Sequence, residues 1–320
     1  MQTYELLRET EAPTLVAPVQ PRPTARGVLP GLALAQFLEL RGYRTFEAIG
    51  TRWGHYRGPF FASLPNHLRI APDPREIREM MRQHRIPCLR FPSATGRGVP
   101  LGLYVCNPRE YALEKLPRQF RRHVTRGLEA STIRPVEQAE LLRDGLQLNL
   151  DTMERQRRYD KEFGDPTAWK RFVDAVYRSP GVKVTGAFVD GRLSVYLVSC
   201  QQDGCVHMLY KMSRAADYSL PVRHALDYSI VTEAASDPSI ELVENSFSSL
   251  LPNEGLDAYK RHMGFSIEPY HLSIYLHPVV SPILTSKWAL AAVKAAWNRR
   301  PKDTRLELGA KILEGARTKL

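Results

Sequence analysis

Three apolar runs lie between Val182 and Tyr210, separated by polar turn residues. Val182–Val189 is followed by Asp190-Gly191, the dipeptide favoured in two-residue hairpin turns because glycine tolerates positive φ. Arg192–Cys200 returns, a second turn spans Gln201 to Gly204, and Cys205–Tyr210 follows. The pattern predicts an antiparallel meander of three strands. Pro221 then opens a helix with Ala225, Leu226, Ile230 and Val231 on its buried side. A short strand at Ile240–Val243, a polar link from Glu244 to Glu254, a short helix carrying Tyr259-Lys260, Gly264-Phe265 and a strand over Tyr270–Leu276 complete this part.

Upstream, residues 40–110 alternate strand-like pieces, Phe60–Leu64 and Leu101–Cys106, with one helix. Asp73 is placed to cap it, Pro74 fits its first position, Glu76 would complete a capping box, and Ile77, Met80 and Met81 form its buried stripe. A helix over Leu116–Leu128 puts Phe120, Val124 and Leu128 on one face and Arg118, Arg121, Arg122 and Arg126 on the other. Val136 to about Leu150 is a further amphipathic helix, and Asp165-Pro166 starts another with Trp169, Phe172, Val173 and Val176 inward. Prolines 13, 18, 21, 23 and 30 make residues 1–30 an extended arm. The expected organisation is this arm, a first half over 31–130, a second half over 131–280 and a helical tail over 281–320.

The chain has 320 residues, 45 Lys and Arg against 34 Asp and Glu, and a formal charge of +11. That excess favours an anionic partner: a nucleotide cofactor, tRNA, a phosphorylated sugar lipid or an acidic membrane face. No run approaches the ~18 consecutive apolar residues of a membrane span, and Met1-Gln2-Thr3-Tyr4-Glu5 does not begin a secretory signal. Four irregularly spaced cysteines suggest reduced thiols in a cytoplasm. No basic-aromatic repeat supports a nucleic-acid reading, so DNA is not expected. Cys200, Cys205 and His207 match no zinc-finger spacing and lack a fourth ligand, so no metal is expected.

Three antiparallel strands, a helix, a strand, the Tyr259-Lys260 helix and a last strand resemble the closing part of the Fem-type peptidyltransferases and their relatives in the acyl-CoA N-acyltransferase (GNAT) superfamily. The resemblance covers roughly residues 110–277, and the first hundred residues follow it only in outline. It implies an α/β (α+β) fold of two tandem GNAT-like halves with mixed sheets. It also implies an N-acyltransferase that moves an acyl or aminoacyl group onto an amine, with a cell-envelope or exopolysaccharide precursor as acceptor. The implied co-substrate is acyl-CoA, acetyl-CoA for instance, or an aminoacyl-tRNA. In that family an aromatic-Lys pair at this place stabilises developing charge, which singles out Lys260 with Tyr259; Glu244 is the implied base. A donor near residues 210–226 would meet Tyr210, Lys211, Arg223, His224 and Asn245. Phosphates or the acceptor would meet Arg118, Arg121 and Arg122; apart from the resemblance, Trp53, His55, Tyr56 and Arg57 form an aromatic-basic cluster, which makes Trp53 and Tyr56 further acceptor candidates with no motif behind them.

Two departures from the family patterns are visible, the first shared with Fem-like relatives and weighing against CoA as the donor. The segment Tyr218–Leu226 lacks the glycine-rich phosphate loop of CoA-dependent members, and Glu244-Asn245-Ser246-Phe247-Ser248 replaces an Asp-Phe-Gly-like sequence. Both also suit a non-catalytic GNAT-like module that binds an anionic ligand or a membrane surface. In the tail, Trp288, Leu290, Val293 and Trp297 alternate with Lys287, Lys294, Arg299 and Arg300. The expectation is a helix packed on its own domain; the alternative is a peripheral contact with the inner membrane face.

Overall fold

The computed structural model describes residues 29–57, 59–248, 253–279, 281–299 and 304–317. The greater part of the predicted N-terminal arm, residues 1–28, lies outside them. In chain order the elements are α1 (Leu32–Leu40), β1 (Thr45–Ala48), β2 (Thr51–Arg57), β3 (Phe60–Leu64), α2 (Pro74–Gln83), β4 (Cys88–Pro92), β5 (Val99–Cys106), α3 (Arg118–Ala130), β6 (Thr132–Pro135), α4 (Gln138–Arg155), α5 (Lys161–Gly164) and α6 (Pro166–Arg178). The second part continues with β7 (Val182–Val189), β8 (Arg192–Gln202), β9 (Cys205–Ser213), α7 (Val222–Ala235), β10 (Leu242–Phe247), α8 (Glu254–His262), β11 (Ser266–Leu276), α9 (Ser281–Leu284), α10 (Lys287–Arg299) and α11 (Thr304–Arg317).

The strands form one mixed sheet of eleven among the described residues, ordered β1-β2-β3-β4-β11-β5-β10-β9-β8-β7-β6. It holds two copies of one motif. A meander, β1-β2-β3, is joined through α2 to a parallel neighbour, β4. The second meander, β7-β8-β9, is joined through α7 to β10 in the same way. The closing strands are exchanged between the halves: β11 inserts between β4 and β5, and β5 lies between β11 and β10. The halves thus share one sheet, and each completes the other's.

Both turns of the second meander are two-residue hairpins with positive φ at each central residue: Asp190 at 49° and Gly191 at 74°, Asp203 at 49° and Gly204 at 72°. These are the twist-compatible primed turns. The second strand therefore runs two residues past Cys200. The α2 cap differs in detail from the expectation, since Asp73 Oδ1 accepts from the backbone of Arg75 at 2.6 Å. α6 begins as expected, with Asp165 Oδ1 accepting from Ala168 N at 2.8 Å.

α7 buries Val222, Ala225, Leu226, Ile230, Val231 and Ala234, because the sheet covers one side and α3 crosses the other. α3 meets α7 through Gly127 and Val124, and Leu128 points outward, contrary to the predicted stripe. The reason is close approach: a Cβ on Gly127 would lie 2.6 Å from Pro221 O and 2.9 Å from the Ala225 Cβ. Gly127→Leu is expected to cost about 3 kcal/mol through overpacking. Chemical denaturation checks this, with Leu128→Ala as a near-neutral control.

Candidate active site

β9 and β10 are parallel neighbours at only three rungs, Leu242↔Cys205, Val243↔Val206 and Glu244↔His207. Beyond them β10 leans on β5 instead, pairing Glu244 with Val105 and Phe247 with Leu103. This pairing with the other half extends the strand past Val243, so Glu244 and Asn245 lie inside β10, not beyond its end. One residue is extra between Glu244 and Phe247, and Ser246 takes φ 61°, a left-handed conformation rare for a residue with a side chain. The two strands therefore diverge at one defined point, leaving β9 without a β10 partner from Met208 onward.

Lys260 sits at this divergence. α8 is capped by Asn253, whose Oδ1 accepts from Leu256 N, and it carries Glu254 and Asp257 in its first turn and Lys260, Arg261 and His262 in its last. That charge order suits the helix dipole. The helix ends in a Schellman arrangement: Phe265 N donates to Lys260 O at 3.1 Å and Gly264 N to Arg261 O at 2.9 Å. Gly264 supplies the required φ of 85°, and any Cβ there would press on Tyr111 at 2.7 Å. The Gly-Phe of the sequence thus fixes the turn that carries Lys260.

The Lys260 side chain is 5% exposed. Its Nζ donates to Asn245 O at 2.6 Å and lies 4.4 Å from the centroid of the Tyr104 ring. Burial, helped by repulsion from Lys211, lowers its pKa from 10.5 to about 8. Beside it, Asp227 is fully buried and its Oδ2 accepts from Lys211 Nζ at 2.5 Å and from Tyr259 OH at 2.8 Å. Burial and the adjacent Asp227 carboxylate push the Tyr259 hydroxyl well above its ordinary range, so it stays a neutral donor. Lys211 Nζ also lies 4.9 Å from the Tyr259 ring centroid.

A bulge explains why Lys211 arrives here. Val198 pairs with Tyr210 while Ser199 pairs with Met208, so Leu209 is the extra residue. The alternation reverses across it. Val206, Met208 and Lys211 face α7, whereas Tyr210 turns to the opposite face, where its hydroxyl accepts from Arg41 Nη1 at 2.9 Å beside Phe163 and Phe172.

The remaining predicted residues fall into separate places. At the start of α7, Arg223 lies 3.5 Å from the Tyr218 ring centroid and Arg155 lies 4.4 Å from it, a basic pair around an exposed aromatic. His224 packs among Phe120, His123 and Tyr259, and burial with His123 nearby lowers its pKa to about 4. Arg118 and Arg122 are exposed on α3, while Arg121 Nη1 donates to Glu114 O at 3.0 Å. Trp53 is a correction: it is 0% exposed, and its indole donates to Ala48 O at 3.0 Å inside the first half's core. The Tyr56 side chain lies outside the described residues. Glu244 is buried on the face away from α7, its Oε2 2.5 Å from His207 Nδ1. An open groove of about 800 Å³ bounded by Arg134, Val136, Tyr177, Lys183 and Glu233 includes none of these residues.

Sequence reasoning missed Asp227 and Tyr104. Asp227 did carry a signal, since it stands next to Leu226 on the buried side of an apolar helix. A charged residue there needs partners.

No family model matches the chain, and no curated protein matches its sequence. Solved structures do match its fold. FemX aligns with a TM-score of 0.56 at 11% identity, over 78% of this chain and 93% of that one. L-PGS from Bacillus licheniformis aligns at 0.53 and 12% identity, over 77% and 88%. The C-terminal domain of a candidate lysylphosphatidylglycerol synthetase from Agrobacterium fabrum aligns at 0.53 and 13% identity, over 75% and 86%. The chain has a GNAT-like fold of the Fem type.

Proposed function

We propose that this chain transfers an acyl or aminoacyl group from an activated donor to an amine, with Lys260 as the charge that stabilises the transition state. The observation that carries this reading is a desolvated lysine at the point where β9 and β10 part. Beyond His207, β9 keeps β8 on one side and parts from β10 on the other, and an extended donor arm would lie in the space where the two strands diverge. Arg223 in the first turn of α7 and Arg155 at the end of α4 flank Tyr218, and in this reading they meet the donor's phosphates. The amine nitrogen attacks the donor carbonyl, the new C–N bond forms, and the thiolate or ribose oxygen leaves with its electron pair. Lys260, fixed in a water-poor setting, stabilises the negative charge that builds on oxygen. The amine's proton leaves with the departing group. Glu244 has no part in this scheme, because its carboxylate is committed to His207.

Acetyl-CoA is the first donor to test and aminoacyl-tRNA the second, by calorimetry followed by transfer to amine acceptors. Saturable binding of one donor, lost on Arg223→Ala, supports the reading. Silence from both donors would leave the non-catalytic binding module as the better account.

The C-terminal face bears on the acceptor. One structural neighbour carries the name of a lysylphosphatidylglycerol synthetase, a name that includes a phospholipid. No helix among the described residues is long and apolar enough to cross a membrane. α11 packs on β11 and α10 packs on α11, with Leu290 buried. Yet Val279, Ile283 and Trp288 are 72%, 69% and 86% exposed, with Lys287 beside Trp288. We infer that this face rests on an anionic bilayer and that the amine acceptor is presented there. Trp288→Ser is expected to weaken binding to anionic vesicles about tenfold, equivalent to about 1.4 kcal/mol, with unchanged thermal stability. Vesicle co-sedimentation reads the effect, and equal binding of variant and parent would remove the membrane from the account.

A further inference from the structure

On the sheet face opposite α7, four side chains of metal-ligating type converge. His67 comes from the loop after β3, Cys205 and His207 from β9, and Glu244 from β10. One ligand atom from each lies within 4.8 Å of all the others, and no other such group occurs among the described residues. The four are 7%, 0%, 2% and 3% exposed, so the cluster is closed to solvent.

Hydrogen bonding alone leaves the cluster incomplete. Glu244 Oε2 engages His207 Nδ1, but His207 Nε2 and His67 Nδ1 are buried without a hydrogen-bond partner. A buried polar atom left unpaired costs about 1–3 kcal/mol, and here two lie in one cluster with their rings 5.1 Å apart. A bound cation would use these groups. The sequence offered Cys200, Cys205 and His207 without a fourth ligand, and of these the fold brings only Cys205 and His207 into the cluster. The fold supplies the other two from the first half and from β10.

We propose that His67, Cys205, His207 and Glu244 form a closed four-ligand site for a divalent cation of the zinc class, which pins β9 to β10 at their last shared rung. The donor set fits that class: imidazole and thiolate suit zinc, whereas magnesium and calcium take oxygen ligands. Thiolate and carboxylate together balance the dication, so the buried site carries no net charge. Four protein ligands without an open position define a structural metal rather than a catalytic one. Tetrahedral zinc places its ligand atoms about 3.3–3.8 Å apart, so an inward movement of about 1 Å completes the geometry. The Tyr270 hydroxyl donates to His67 O at 2.7 Å, holding the loop that brings His67 in. The consequence reaches the lysine site, because Asn245, whose carbonyl accepts from Lys260, is the residue after Glu244.

The test uses the full chain, purified without a polyhistidine tag, and two metals, Zn²⁺ and Co²⁺. Elemental analysis should find about one zinc per chain. The chelated chain refilled with Co²⁺ should show the intense visible bands of a tetrahedral site together with a thiolate-to-cobalt charge-transfer band. Cys205→Ser should lose that band and hold less than a tenth of the parent's zinc, while Cys200→Ser, equally buried, keeps both. If Cys205→Ser fails to fold, the band's survival in Cys88→Ser, Cys106→Ser and Cys200→Ser assigns it to Cys205 by elimination. The proposal is overturned if the parent chain takes up neither metal, or if folded Cys205→Ser retains the parent's zinc and cobalt band.

Discussion

Lys260→Met is expected to lower group transfer by about 10²–10³-fold while making the protein more stable at pH 7. The two effects have one cause. Lys260 is buried with its ammonium against a carbonyl and an aromatic face, and burial lowers its pKa from 10.5 to about 8. The folded protein therefore holds this proton less tightly than the unfolded chain does. Below about pH 8 both states carry the charge, and the folded state bears the full desolvation cost, at most about 3 kcal/mol for a shift of this size. Between about 8 and 10.5 the unfolded chain binds more protons, so stability rises with pH. Methionine removes the cost but leaves Asn245 O without its donor, which returns about 1 kcal/mol. The net gain is about 1–2 kcal/mol at pH 7, shrinking as pH climbs above 8. Denaturant titrations of both proteins at pH 7 and pH 10 measure it. A variant both inactive and less stable at pH 7 would show Lys260 to be a structural lysine. Lys260→Arg tests geometry, since a longer planar cation does not fit the same carbonyl and ring.

What the sequence could show about this site depended on how local each determinant is. The meander was legible because Asp190-Gly191 and Asp203-Gly204 state their turns within two residues. The Tyr259-Lys260 helix was legible because Asn253 and Gly264 mark its ends. The exchange of β5 and β11 was not, because strand pairing across 161 positions leaves no periodic trace; Val105 meets Ser266 only in the fold. That exchange also made β10 longer than its apolar stretch, since its outer part pairs with β5 and not with β9. The bulge at Leu209 was equally silent, yet it decides that Lys211 joins the site and Tyr210 does not. Trp53, singled out for its aromatic neighbours, is a core residue whose indole is satisfied by a backbone carbonyl five positions away. His67 had no partner within reach in the sequence, and its three neighbours come from strands of the second half.

Asp227→Ala is expected to destabilise the protein by about 3 kcal/mol, a fall of about 5–10 °C in melting temperature, and to abolish transfer as well. Asp227 is the single acceptor shared by Lys211 and Tyr259, and it is fully buried on α7. Alanine leaves the Lys211 ammonium without its acceptor and the Tyr259 phenol with only the long contact to Arg223 O at 3.5 Å, and it opens a cavity between α7 and α8. Lys211 keeps a partly exposed side chain, so water can take up some of that loss, which sets the estimate at the lower end for a broken buried pair. Asp227→Asn separates charge from shape. The amide still accepts one hydrogen bond, so the stability loss should be about 1 kcal/mol. The negative charge that offsets Lys211 disappears, and Lys260, already repelled by Lys211, should titrate lower than in the parent. If Lys260 must be charged for transfer, the alkaline limb of the pH profile moves to lower pH in Asp227→Asn. If Asp227 serves packing alone, the limb stays in place and only the melting temperature changes. The asparagine variant thus separates an electrostatic role for Asp227 from a structural one, and the alanine variant measures the sum of both.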